Sequence, residues 1–165
     1  MELSIVVPVY NEAANLPFLC ERIVSSLEGF DHDFEVIFVD DGSVDGSFEI
    51  IRRYVEIEPR FKIIRFRRNF GQTAAMVAGF TAATGRVVVS MDADLQNDPA
   101  DIPFLLAKID EGYDVVSGWR NNRQDKLINR RFPSFIANLI ISRMTGVHLH
   151  DYGCTLKAYR REVLA

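Results

Sequence analysis

The sequence predicts an α/β protein: a mainly parallel sheet flanked by helices, built around one hydrophobic core. Three observations predict it. Short apolar, β-rich runs alternate with longer stretches of helical period. The polar clusters fall just after those runs, at the strand ends where an open α/β sheet binds its ligands. The length of 165 residues suits one domain spanning the whole chain.

Residues 3–9 are a continuous apolar run suited to a strand buried on both faces. A helix is predicted over 12–27, because Leu16, Leu19, Cys20, Ile23 and Leu27 recur at three- and four-residue spacing. Residues 34–39 read as the second strand. The next helix begins near Asp45, carries Phe48, Ile51, Tyr54 and Val55, and ends at Pro59. A third strand over 61–66, a helix over 72–83 closed by Gly85, and a fourth strand over 87–91 follow. A fourth helix over 99–111 stops at Gly112, a natural C-cap, before a fifth strand over 114–117.

Beyond that strand the alternation changes. Residues 120–131 carry Arg120, Arg123, Lys126, Arg130 and Arg131 against one acid, Asp125, and read as a polar loop. Phe132, Phe135, Ile136, Leu139, Ile140 and Met144 then follow helical spacing, which predicts a C-terminal amphipathic helix entered from a cationic loop. Residues 160–165 read as the start of another helix, so a longer parent protein is expected.

The formal charge of −4 argues against a general nucleic-acid binder, which neutralises phosphates with a basic surface. Cys20 and Cys154 form no CxxC pair, so neither a disulfide framework nor a zinc ribbon is indicated and a reducing cytoplasm is the simpler compartment. His148, His150, Asp151 and Cys154 match no standard structural zinc spacing. The N-terminus has no signal-peptide pattern, and no run reaches the ~20 apolar residues of a membrane span. With no GxGxxG and no GxxxxGK[ST], a dinucleotide oxidoreductase and a P-loop ATPase are both disfavoured.

Three strand ends carry the chemistry: Pro8-Val9-Tyr10-Asn11-Glu12, Asp40-Asp41-Gly42-Ser43 and Asp92-Ala93-Asp94-Leu95-Gln96. A common pocket is the economical inference. Asp92 and Asp94, on alternate residues, can aim two carboxylates at one Mg2+ or Mn2+ bridging a diphosphate. The bland alternative is a solvated acidic loop capping the next helix. A calcium EF-hand fails for want of its 12-residue ligand spacing. Asp40 and Asp41 can accept hydrogen bonds from a ribose or a base, or can simply build a turn, since Asp-Gly-Ser is good turn chemistry. The cations of 120–131 suit phosphate oxygens or an anionic lipid surface.

Together with Arg68-Asn69-Phe70-Gly71-Gln72 and Asp151-Tyr152-Gly153-Cys154, these motifs resemble the family-2 glycosyltransferases of GT-A fold. Within them the chain is most similar to the branch that loads sugars onto polyprenyl phosphate, which includes dolichyl-phosphate mannose synthases and undecaprenyl-phosphate aminoarabinose transferases. The resemblance spans residues 3–164. It implies that Pro8, Tyr10, Glu12 and Asp41 line the nucleotide with Asp40 in support, and that Asp92 and Asp94 hold the metal and diphosphate. It also implies that Gln96 lies near the donor sugar. Arg120, Arg130 or Arg131, and Ser134 match positions around the acceptor phosphate, and Asp151 matches an acid assigned as catalytic base.

The implied reaction is an inverting transfer from a nucleotide-sugar to a polyprenyl phosphate. The implied place is the cytoplasmic side of the membrane, with the protein peripheral or anchored through a region absent from this chain. A phosphate monoester, with a second pKa of about 6, is already largely ionised at neutral pH. Asp151 is therefore read either as a base or as a positioning group. Two alternatives stay open: a carbohydrate hydroxyl acceptor, which would make Asp151 indispensable, and a non-catalytic nucleotide-sugar or membrane-binding module.

Overall fold

The computed structural model describes residues 2–30, 33–118 and 154–164. In chain order the elements are β1 (Leu3–Val9), α1 (Leu16–Ser26), β2 (Phe34–Asp40), α2 (Ser47–Ile57), β3 (Phe61–Arg65), α3 (Gln72–Ala82), β4 (Val87–Ser90), α4 (Ile102–Asp110), β5 (Val115–Ser117) and β6 (Lys157–Arg160). They build one sheet in the order β3-β2-β1-β4-β6-β5. The first four strands in that order run parallel, and β6 lies antiparallel between β4 and β5.

The period of two along β1 and β2 sorts their side chains onto two faces. Leu3, Ile5, Val7, Val36 and Phe38 join Leu16, Leu19, Ile23, Ile51, Ile102 and Ile109 in the larger cluster, beneath α1, α2 and α4. Val6, Ile37 and Val39 meet Ala75 of α3 on the other face. Each fully buried aliphatic side chain contributes about 1.5–3 kcal/mol. Contact on the α3 face is close: a Cβ at Gly79 would stand 2.2 Å from Val6 Cγ1.

Most predicted elements stand where the sequence puts them. The first helix starts later than expected, at Leu16, because residues 12–15 form a turn in which Asn15 N donates to the Glu12 carbonyl at 2.9 Å. The fourth helix enters through a single 3-10 turn, Pro99–Asp101, capped by Asp98 Oδ1 accepting from Ala100 N at 3.1 Å. The helix expected from residue 160 is, in the described residues, only a 3-10 turn, Arg161–Val163, and the sequence reading assigned no strand where β6 precedes it. In this segment Leu156 and Ala158 are buried while Lys157 and Tyr159 are only half-buried. That two-residue alternation fits a strand paired on both sides. The predicted amphipathic helix and cationic loop lie outside the described residues.

The chain crosses from β1 to β2 on one side and returns through β4 on the other. The crevice this opens at the carboxyl end of β1 is the ligand position of open α/β sheets.

Candidate functional site

At that crevice Pro8, Tyr10, Glu12, Asp41, Asp92 and Asp94 line one cleft of about 330 Å3, with Asn69, Gly71, Gln72 and Ala75 completing the wall. The sequence-predicted residues of three strand ends are thus brought together. Asp40 and Gln96 are not in that wall.

The loop after β1 is held by the loop after β2. Asn11 N donates to Ser43 Oγ at 3.0 Å, Glu12 N to Ser47 Oγ at 2.9 Å and Ala13 N to Asp45 Oδ2 at 3.0 Å. In return Val44 N donates to Asn11 Oδ1 at 2.9 Å. Asn11 sits at φ +57°, a left-handed conformation that asparagine tolerates. Burial disfavours the Asp45 carboxylate, but its bonds from Ser47 and Ala13 outweigh that and lower its pKa. The Asp-Gly-Ser turn chemistry read from the sequence is therefore real, and it builds the cleft's rim.

Asp40 and Asp41 divide their work. Asp40 is fully buried below the cleft, where Oδ1 accepts from Ser43 N at 3.1 Å and Oδ2 faces Arg65 Nε at 3.6 Å. Asp41 lines the cleft and accepts from Phe70 N at 2.7 Å and Gly71 N at 2.9 Å. It thereby pins the 68–71 loop against the end of β2. Gly42 permits the close approach: at φ +73° a Cβ there would lie 2.5 Å from the Arg68 carbonyl carbon.

Asp92 and Asp94 follow β4. Asp92 Oδ1 accepts from Gln72 Nε2 at 2.9 Å, and Oδ2 accepts from Thr155 Oγ1 at 2.6 Å. Asp94 Oδ1 accepts from Gln96 N at 3.0 Å, so the backbone of Gln96 shapes the turn while its side chain is exposed. Between them Leu95 adopts φ +62°, an uncommon conformation for leucine and the kind of local strain that collects at functional sites.

Among the described residues no cluster of three His, Cys, Asp or Glu could enclose a metal. Two carboxylates on one cleft wall nevertheless fit Mg2+ or Mn2+, since Mg2+ is commonly held by one or two carboxylates together with substrate phosphates and water. Arg120, Arg130, Arg131, Ser134 and Asp151 lie outside the described residues.

Gln72 and Thr155 were given no role by sequence reasoning. Gln72 ends a motif singled out for its resemblance, and that was its signal. Thr155 continues the similar stretch that begins at Asp151, but its contact with Asp92 is tertiary, made only by the antiparallel placement of β6.

Comparison with known proteins decides the family. The profile described as Glycosyl transferase family 2 matches residues 4–165. The chain belongs to this family. Among curated glycosyltransferases, it is 47% identical over 99% of its length to a dodecaprenyl-phosphate galacturonate synthase from Rhizobium johnstonii. It is 48% identical over 98% of its length to an undecaprenyl-phosphate 4-deoxy-4-formamido-L-arabinose transferase from Pseudomonas syringae. The chain spans about half the length of these relatives, 49% and 48% respectively.

Solved structures agree on the GT-A sheet. A Pyrobaculum calidifontis mannosyltransferase in complex with GDP-Man and Mn2+ superposes with a TM-score of 0.71 at 24% identity, covering 99% of this chain and 45% of that one. Glucosyl-3-phosphoglycerate synthase from Mycobacterium tuberculosis in complex with UDP gives 0.69 at 21% identity, covering 98% and 57%. Among the described residues no helix is long and apolar enough to cross a membrane.

Proposed function

We propose that this chain is the nucleotide-sugar-binding catalytic domain of an inverting, metal-dependent glycosyltransferase that moves a sugar onto a polyprenyl phosphate. The observation that carries the reading is the convergence of Asp41, Asp92 and Asp94 with Pro8, Tyr10 and Glu12 on one cleft at the sheet's switch point. The acceptor class is supported by relatives at 45–49% identity, named for dodecaprenyl- and undecaprenyl-phosphate products.

In this reading Tyr10 and Asp41 flank the nucleoside, and the Asp41-pinned 68–71 loop closes its side of the cleft. Asp92 and Asp94 would hold Mg2+ or Mn2+, which when bound would supply Lewis-acid stabilisation of the departing diphosphate. Gln96 stands next to Asp94 on the donor-sugar side. The acceptor phosphate oxygen attacks the anomeric carbon, the bond from that carbon to the diphosphate oxygen breaks, and the nucleoside diphosphate leaves with the electron pair. Arg120 with Arg130 or Arg131 offsets repulsion between the two anionic substrates and aligns the attack, a contribution worth several kcal/mol, and Ser134 lies beside the acceptor phosphate. Because the acceptor arrives ionised, Asp151 orients it and has little proton to remove. The protein works peripherally at the cytoplasmic face of a membrane carrying the lipid.

Transfer from radiolabelled UDP- and GDP-sugars to undecaprenyl phosphate in detergent, with Mn2+, tests the reading. Labelled lipid that disappears in Asp94→Asn supports it. Equal transfer by Asp94→Asn, or labelling of a carbohydrate hydroxyl with the lipid phosphate left unlabelled, contradicts it.

A further inference from the structure

The register of β4 against β6 pairs Val87 with Arg160 and Ser90 with Lys157. Continued two residues past β4, the same register sets Asp92 opposite Thr155. Thr155 Oγ1 meets Asp92 Oδ2 at 2.6 Å, and behind it Asn97 Nδ2 donates to Thr155 Oγ1 at 3.0 Å. Asn97 is only 3% exposed, and its Oδ1 accepts from the Cys154 thiol at 3.9 Å. Ser90 Oγ anchors the same segment by donating to the Thr155 carbonyl at 2.7 Å.

This chain has a direction. An amide NH2 only donates, so Thr155 Oγ1 accepts from Asn97 and its single proton goes to Asp92. Asp92 is thereby an acceptor on that side, as an ionised carboxylate must be. On its other oxygen Gln72, the first residue of α3, donates at 2.9 Å. A neutral donor on each oxygen, one from the start of α3 and one from the segment leading into β6, constrains the plane of the carboxylate. A metal-binding carboxylate needs such an orientation, since partners behind the ligands commonly change metal affinity 10- to 100-fold.

We propose that Thr155, backed by Asn97, is a positioning residue that holds Asp92 in the orientation from which it meets the cation and the donor diphosphate. This rests on the reading of Asp92 as a metal-facing carboxylate. It makes the strand end before β6 part of the donor site.

Calorimetric titration of UDP and GDP, with and without Mn2+, into the wild-type chain and its Thr155→Val, Thr155→Ala, Thr155→Ser and Asp92→Asn variants tests it. Thr155→Val or Thr155→Ala should lower Mn2+-dependent affinity by about tenfold and leave metal-free affinity unchanged. Thr155→Ser, which keeps the hydroxyl, should restore wild-type binding; either hydroxyl-free variant suffices if the other fails to fold. Wild-type Mn2+-dependent affinity in the hydroxyl-free variants overturns the proposal, and so does an equal loss with and without Mn2+. If Asp92→Asn keeps full Mn2+-dependent binding, or the wild type shows none, the reading of Asp92 itself fails, a result distinct from failure of the Thr155 step.

Discussion

Asp40 and Asp41 are neighbours in sequence with different surroundings: one is sealed beneath the cleft against Arg65, the other faces it while gripping two backbone amides. A carboxylate serves both amides of the 68–71 loop because both of its oxygens accept. An amide side chain offers only one acceptor oxygen. Asp41→Asn should therefore leave Phe70 N or Gly71 N facing a donor, cost about 1–3 kcal/mol and weaken nucleotide binding equally with and without Mn2+. Urea unfolding and calorimetry check both parts. A loss of binding confined to the Mn2+ condition would move Asp41 away from the nucleoside and toward the metal.

At the scale of elements, the turn after β2 packs so closely on the loop before α3 that Gly42 leaves no room for a Cβ against the Arg68 and Asn69 backbone. Gly42→Ala combines a forced positive φ with a 2.5 Å clash against main chain that cannot swing away. It should destabilise the protein by about 1–3 kcal/mol, seen as a lower unfolding midpoint; an unchanged midpoint would show that the two loops part without cost. The elements up to β5 were legible because their patterns are local: continuous apolar runs for β1 and β2, three-and-four spacing for α1, Gly112 as a stop. Three cleft-facing strand ends were legible for the same reason. β6 was not, because Lys157–Arg160 is only four residues long, carries two cations and runs into a 160–165 stretch that reads as a helix start. Their strand character comes from pairing on both edges, which is tertiary. Thr155 was hidden for that reason too, as were Asp40's burial and the amide grip of Asp41.

Across the whole molecule, the functional edge is balanced by a buried polar anchor at the opposite end of the sheet. Glu35 on β2 is fully buried; its Oε1 accepts from Ser4 Oγ at 2.6 Å, Thr84 N at 2.9 Å and Thr84 Oγ1 at 2.7 Å, and Lys62 pairs with Oε2. Burial disfavours its charged form, yet the bonds from Lys62, Ser4 and Thr84 prevail and take its pKa from 4.5 to about 2. A carboxylate lowered on folding stabilises the native state above its unfolded value, and that contribution is lost as pH falls through the folded value. The Glu35 contribution should thus be complete above pH 4.5 and fade toward pH 2. Glu35→Gln should be less stable at pH 7 by about 2–4 kcal/mol, with the gap to wild type narrowing over that window in urea titrations. A gap independent of pH would mean that the Glu35 carboxyl titrates alike in the folded and unfolded chain, and a gap that widens as pH falls would mean that it is held as a neutral acid.

The proposed function requires one cleft to act as a metal-dependent nucleotide-diphosphate site. Its most direct test is calorimetric titration of UDP and GDP, with and without Mn2+, into this chain and its Asp92→Asn/Asp94→Asn double variant. One of the two nucleotides should bind, Mn2+ should tighten it, and the double variant should lose the Mn2+ increment while staying folded. Nucleotide binding that ignores both Mn2+ and the two substitutions, or a folded wild-type chain that binds neither nucleotide, would contradict it.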